Sequence, residues 1–325
     1  MRSRILNWGG AALFFLIFLS FFLLVLLAGD SARSLLPEDR PSFAGTLHLT
    51  LAREGGTPRL YSFKPEEGLL LMDKNITPFL DITKTTARGG KIIAVATAYD
   101  ATDMSIDTLD LTTGEFALVS KNKLAYKREP VWSADGKSLA YIAADKGGGD
   151  SSVPDYWQIF VTDQSGKDQF IDRGTNPVLS PDGSQILYVQ KDGLHRRALT
   201  ATTSELVWPV AHARSDMKLS LSFNGKRLAW SNRTGEEGKG EIVLFSVSWR
   251  PFSLKVAGEF QLPATYIAFS PDGETLAAVV PGYDFSPLPD ALQILFISFD
   301  DAHIDAALDL SGFDPSNAWL TQWTS

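Results

Sequence analysis

A serine-marked turn recurring every 42 to 48 residues, an apolar strand after each copy, and complementary half-repeats at the two ends predict an all-β protein. The expected form is a six-bladed β-propeller closed by pairing of its N- and C-terminal strands and preceded by one transmembrane helix. Residues 1–28 would form a cytoplasmic stub and that helix, 29–44 a tether, and 45–325 the propeller.

Four copies align without gaps: PVWSADGKSLAYIA from Pro130, PVLSPDGSQILYVQ from Pro177, LSLSFNGKRLAWSN from Leu219 and YIAFSPDGETLAAVV from Tyr266. Their marker serines, Ser133, Ser180, Ser222 and Ser270, lie 47, 42 and 48 residues apart. A degenerate copy, ARGGKIIAVA, begins at Ala87, and a half-copy, LTQWTS, puts Ser325 in the marker position. In Ser-Pro-Asp-Gly, proline presets φ for a type I turn, aspartate accepts a local backbone hydrogen bond, and glycine takes the left-handed conformation that closes a bulged hairpin. Asp135, Asp182 and Asp272 are therefore read as turn residues and not as catalytic acids. Arg88 and Gly89 offer neither proline nor aspartate, so the turn there is expected to be the least constrained.

Each turn leads into an apolar strand (SLAYIAA, QILYVQ, RLAWSN, TLAAVV) without strict alternation, as expected when both sheet faces are covered. A second β-rich run follows, as in QIFVTD or EIVLFSVSW, and then a short closing strand such as SELVWPV. Four short strands per repeat of about 45 residues describe a propeller blade. The segments GTLHLTLA, PRLYSFK and GLLLMD read as the second, third and fourth strands of a blade without a first. The C-terminal AWLTQWTS reads as a first strand with nothing after it, so pairing the two builds one blade and removes two exposed edges.

The WS-x-D-G-K/S-x-L-A/L-Y pattern with its 42–48 residue spacing resembles the TolB-type, WD-like β-propeller family over roughly residues 45–325. The resemblance implies the fold and is nearly silent on activity, because propellers host binding modules, lyases, hydrolases and the docking halves of peptidases. TolB carries a small α/β domain before its propeller, where this chain has an apolar segment and a tether. No counterpart of the hydrolase domain of dipeptidyl-peptidase-type proteins is expected here.

Ala11 to Ala28 (AALFFLIFLSFFLLVLLA) is an 18-residue uncharged run with 14 Leu, Ile, Phe or Val residues. As a helix it would span about 27 Å, close to the ~30 Å hydrocarbon core. Arg2 and Arg4 precede it and Asp30 follows, so the positive-inside rule sends everything after Ala28 across the membrane. A cleaved signal peptide is the alternative, but its apolar core is usually shorter and the exit offers poor small-residue pairs. The expected location is a bacterial cytoplasmic membrane, single-pass, N-terminus inside, with the propeller on the periplasmic or extracellular side. The bacterial assignment rests on the TolB resemblance.

The chain carries 30 basic and 38 acidic residues, and removing Arg2 and Arg4 leaves 28 against 38, or −10, for the rest. So acidic a body argues against nucleic acid as a partner. With no cysteine, disulfides, thiolate zinc sites and a cysteine nucleophile are excluded. Gly136-Lys137-Ser138 ends like a phosphate loop but sits in a hairpin with valine where the first glycine belongs. No two of His48, His195, His212 and His303 are close enough in sequence for a local metal pair, and His195 is expected to be solvated beside two arginines. No cofactor and no metal site is expected.

Recognition is expected on the loops between the second and third strands of each blade, which vary in length: 53–58, 99–105, 144–157, 232–241 and 280–291. The two longest combine aromatics with acids, Asp155, Tyr156 and Trp157 in one and Tyr283, Asp284 and Phe285 in the other. These six are the candidate binding residues. The competing assignment has Tyr156 and Trp157 beginning the third strand and packing between blades, with Tyr283 and Phe285 pinning their own loop. Asp145, Asp150 and Asp155 lack the ligand spacing of a calcium loop.

The functional expectation is a noncatalytic module or scaffold that binds a protein or peptide partner in the cell envelope and reaches the bilayer through residues 11–28. The alternative is an envelope glycan hydrolase or lyase, which would need two convergent carboxylates; Asp100, Asp103, Asp155 and Asp284 are the loop acids available.

Overall fold

The computed structural model describes most of residues 43–324; residues 1–42, 72–80, 83–91, 146–150, 234–239, 282–291 and a few shorter stretches lie outside the description. The predicted membrane segment and tether fall almost wholly in that undescribed part. No helix among the described residues is long and apolar enough to cross a membrane.

The strands run β1 (Thr46–Leu51), β2 (Arg59–Lys64) and β3 (Gly68–Leu71), then β4 (Asp81–Ile82), β5 (Ile92–Asp100), β6 (Asp103–Asp110) and β7 (Phe116–Leu118). Next come β8 (Tyr126–Trp132), β9 (Ser138–Ala144), β10 (Gln158–Asp163) and β11 (Asp168–Arg173), then β12 (Thr175–Leu179), β13 (Gln185–Gln190), β14 (Gly193–Ala198) and β15 (Glu205–Pro209). The last groups are β16 (Lys218–Leu221), β17 (Arg227–Arg233), β18 (Gly240–Trp249) and β19 (Phe252–Phe260), then β20 (Tyr266–Phe269), β21 (Thr275–Pro281), β22 (Leu292–Ser298) and β23 (His303–Asp309), and finally β24 (Ala318–Thr324). They pair as four-stranded antiparallel sheets, five of them regular. The sheet β4–β7 is ragged, with a first strand of two residues and a last of three. It belongs to the copy whose turn lacks the proline and aspartate, and that turn lies outside the described residues. The sheet with order β24-β1-β2-β3 joins the two ends of the chain, with Thr46 opposite Thr324 and Leu51 opposite Ala318.

The turns show why the repeat is retained. Each marker serine is buried. Ser180 Oγ donates to Asp182 Oδ1 at 2.7 Å and accepts the Gln185 N–H at 2.9 Å, while Asp182 Oδ1 also takes the Ser184 N–H at 3.1 Å. The same set recurs at Ser133–Asp135, Ser222–Asn224 and Ser270–Asp272. Seryl and backbone hydrogen bonds hold Asp182 low, at about 2, as an ionised acceptor of the turn. At Gly225 φ is +69°, and a Cβ would lie 2.2 Å from Pro181 Cγ of the neighbouring turn. Only glycine satisfies both conditions there.

The lack of alternation in the second strands has a direct cause. Leu139, Tyr141 and Ala143 of β9 face a core shared with Ala94, Ala96 and Ile106 of the preceding sheet. Ala140, Ile142 and Ala144 face Ile186 and Tyr188 of the following one. Further cores join the sheets at Leu187 and Trp230, at Leu244 and Leu276, and at Leu49 and Phe296. The sheets therefore pack face to face in chain order, and the fold is an all-β propeller.

Residues 99–105, expected as a loop, are largely strand: β5 runs to Asp100, which pairs with Asp103 of β6. The polar sequence reads as loop although its backbone continues the ladder. The 144–157 loop is long as expected, but it ends in a 3-10 turn over Pro154–Tyr156 and then enters β10.

Candidate functional site

The first strands β8, β12, β16 and β20 touch one another in chain order and so line the centre of the ring. Four residues before each marker serine stand Glu129, Asn176, Lys218 and Tyr266. The turns are nearly alike between copies, whereas this position carries a carboxylate, an amide, an ammonium and a phenol. Glu129 and Asn176 each precede a proline, which disfavours right-handed helical backbone. Both take φ of 52°, in the left-handed region, and the ladders shift register there, between Arg128 and Val131 and between Thr175 and Val178. Left-handed backbone costs a non-glycine residue roughly 1–2 kcal/mol, so the surroundings must hold it.

The hydrogen bonds show what holds it. Glu129 Oε2 accepts the Asn176 N–H at 2.6 Å and Oε1 accepts from Lys218 Nζ at 3.0 Å. The Glu129 and Lys218 side chains are only 14% and 15% exposed, so water screens the pair weakly. Lys218 Nζ also lies 5.7 Å from the centre of the Tyr266 ring. Asn176 Nδ2 donates to Thr175 Oγ1 at 3.2 Å.

A cavity of about 420 Å³ opens above this cluster, inside the usual range of ligand pockets, and Arg128, Ser151, Trp157, Arg214, Asp216 and Thr265 are among its walls. It lies at the end of the first strands away from the Ser-Pro-Asp-Gly turns. Arg214 Nε pairs with Asp216 Oδ1 at 3.1 Å. Arg128 is exposed and has no partner among the described residues. A second, narrower cavity of about 50 Å³ shares Glu129, Lys218 and Tyr266 and runs between Val131, Leu179 and Leu221 toward Phe223. A polar mouth thus stands over an apolar lumen.

The candidate binding residues fall in three places. Trp157 is buried at 7% exposure, and its Nε1 donates to Ser151 O at 3.1 Å. It is a wall of the mouth and part of the core between two sheets, not an exposed anchor, because the 3-10 turn folds it inward. Tyr156 packs edge-on against it with ring centres 5.3 Å apart and donates to Asp145 O at 3.2 Å. Asp155 accepts the Lys191 N–H at 3.2 Å and receives Arg173 on its backbone oxygen at 3.1 Å, which ties the loop to the next sheet. Tyr283, Asp284 and Phe285 lie outside the described residues. So do Asp284 as a carboxylate candidate and Asp150 of the acidic loop; among the described residues no cluster of three metal-ligating side chains occurs.

His195 is a further correction. It is buried at 8% exposure in β14, with Nε2 2.8 Å from Asp192 Oδ1 and its ring stacked on Tyr188. Alternation puts it on the face of β14 that meets the preceding sheet, shared with Arg197, which donates to Ile171 O, while Arg196 turns to the other face and pairs with Glu205. The mouth residues Glu129, Asn176, Lys218 and Tyr266 were not picked out by motif. The signal was present in the repeat alignment, as the one polar position whose chemistry differs in every copy.

No protein-family model matches the chain, and no curated protein matches it. Solved structures do. TolB from Acinetobacter baumannii superposes with a TM-score of 0.62 at 16% identity, covering 87% of this chain and 68% of that one. The likeness shows the fold. A chain of a nidogen/laminin complex matches at 0.53 and 14% identity, covering 86% of this chain and 100% of that one. The β-propeller domain of Myceliophteria thermophila Cps50 (Swd1) also matches at 0.53 and 14% identity, covering 84% and 88% of the two chains.

Proposed function

We propose that this protein is an exported, membrane-anchored propeller that works as a noncatalytic binding module and engages a protein or peptide partner of the cell envelope at the channel mouth. The observation that carries the reading is the position four residues before the marker serine. Four copies keep nearly the same turn and core and carry four different polar groups where their first strands meet a 420 Å³ cavity. A regular scaffold with such a change of chemistry at its centre separates support from recognition. Glu129, the carboxylate at the centre, is already engaged by Lys218 and the Asn176 N–H, an arrangement that positions side chains and leaves no free acid. The ragged β4–β7 sheet is read as a sixth blade, because β4 touches both β24 and β8 and so spans the gap between its neighbours.

The support for this location is the sequence alone: an 18-residue apolar run with Arg2 and Arg4 before it favours export of the propeller, and a tether would raise its effective concentration for membrane-associated partners. The test is a crosslinking pull-down from native membranes comparing wild type with Arg214→Glu, an exposed substitution at the mouth. A specific protein captured by wild type and lost with the variant, at unchanged melting temperature, supports the reading. Capture of the same set by both, or of none, contradicts it.

A further inference from the structure

We infer that the channel mouth recognises the free carboxyl terminus of an extended peptide, with the carboxylate on Arg128 and the last apolar side chain in the lumen below. This deepens the binding reading above and rests on it.

The charge balance of the mouth selects the ligand's charge. Glu129 is matched by Lys218 and Asp216 by Arg214, which leaves Arg128 as the cation in the cavity wall with no partner among the described residues. In a body carrying net charge −10 by sequence, an exposed, unmatched guanidinium inside a concavity is poorly placed as a general surface charge and well placed for one carboxylate. Hydroxyls of Ser151 and Thr265 line the same cavity and can serve a peptide backbone.

The lumen selects the rest. It shares Glu129, Lys218 and Tyr266 with the mouth, is walled by Val131, Leu179 and Leu221, and narrows to about 50 Å³. Apolar walls below a single unmatched cation suit an apolar side chain next to a carboxylate. Capture of a chain-terminal carboxylate is a known recognition mode, and the order found here, apolar pocket beneath a single cation, fits an apolar C-terminal residue.

The probes are the hexapeptide Ac-Gly-Gly-Ser-Gly-Gly-Leu with a free carboxylate, the same peptide as its C-terminal amide, and N-acetyl-leucine, each titrated calorimetrically against the full chain in nanodiscs. The expected result is at least tenfold tighter binding of the acid than of the amide, with Arg128→Gln reducing the acid to the level of the amide. Arg128→Lys should retain part of the preference. Equal binding of acid and amide, no effect of Arg128→Gln, or no binding of either peptide overturns the inference. N-acetyl-leucine binding as tightly as the hexapeptide, with the same Arg128 dependence, overturns the peptide source in favour of a small apolar acid. If these titrations fail while the Arg214→Glu pull-down succeeds, only the carboxyl-terminus inference falls and the binding module stands.

Discussion

Removing the Glu129 carboxylate should destabilise the propeller by about 3–5 kcal/mol, an effect large for a residue outside the sheet cores. Glu129→Ala strips the acceptor from the Asn176 N–H at 2.6 Å and from Lys218 at 3.0 Å. The unsatisfied amide costs about 1–3 kcal/mol, and a weakly solvated ammonium without its counter-charge costs a comparable amount. Glu129→Gln keeps an oxygen for the amide and should lose only about 1–2 kcal/mol, the charge-assisted part of the Lys218 contact. Lys218→Met should cost about as much as Glu129→Gln, since it removes the ammonium from Glu129 Oε1. The double variant Glu129→Gln/Lys218→Met, with neither charge left, should return to within about 1 kcal/mol of wild type. Urea unfolding of the four variants under one set of conditions reads these differences. Glu129→Ala within about 0.5 kcal/mol of wild type, or a double variant equal to the sum of its singles, would refute the assignment of this pair as the support of the mouth.

Other outcomes follow from the same structure. Ser180→Ala removes a buried hydroxyl that donates to Asp182 and accepts the Gln185 N–H, and should cost about 1–3 kcal/mol in urea unfolding; a loss under 0.5 kcal/mol would make the turn network incidental. Burial lowers the His48 imidazole to about 4 from 6.5, so the folded form resists protonation more than the unfolded chain does. Stability from this group is full above pH 6.5 and declines as pH falls toward 4, by roughly 3 kcal/mol in total. His48→Gln should flatten that part of the stability–pH profile, and an unchanged slope would contradict the burial argument. A chain ending at Asn317 lacks β24 and leaves β1 as an open edge; it should lose the cooperative thermal transition of the full chain, whereas identical melting would deny that the ends close the ring.

The fold was readable because its repeat is written in side chains with a fixed mechanical task. Ser180, Asp182 and Gly183 have few substitutes in a turn that needs a buried acceptor, a local carboxylate and left-handed backbone, so the pattern survives in every regular copy. The β9 run SLAYIAA announced two covered faces by failing to alternate, and both faces are indeed buried. The loops were less legible. Tyr99 to Ser105 looks like loop because its residues are polar, yet hairpin register depends on backbone pairing that polarity does not report. Trp157 carried an ambiguity that sequence could not resolve, since an aromatic at a loop–strand junction can face either way; the 3-10 turn before it decides the matter. His195 looked solvated because two arginines follow it, but alternation along β14 sends it to the opposite side from Arg196. The mouth was hidden for a different reason. Glu129, Asn176, Lys218 and Tyr266 share no motif with one another, and only their common distance from the marker serines brings them together.

Site-resolved photocrosslinking in native membranes tests the central claim most directly. A photoreactive benzoylphenylalanine at Ser151, on the rim of the mouth, is compared with one at Lys226, beside the Ser-Phe-Asn-Gly turn at the opposite end of the strands. A discrete crosslinked protein is expected from position 151 and absent from position 226. Crosslinks from position 226 alone, or equal crosslinks from both, would contradict a propeller that binds its partner at the channel mouth.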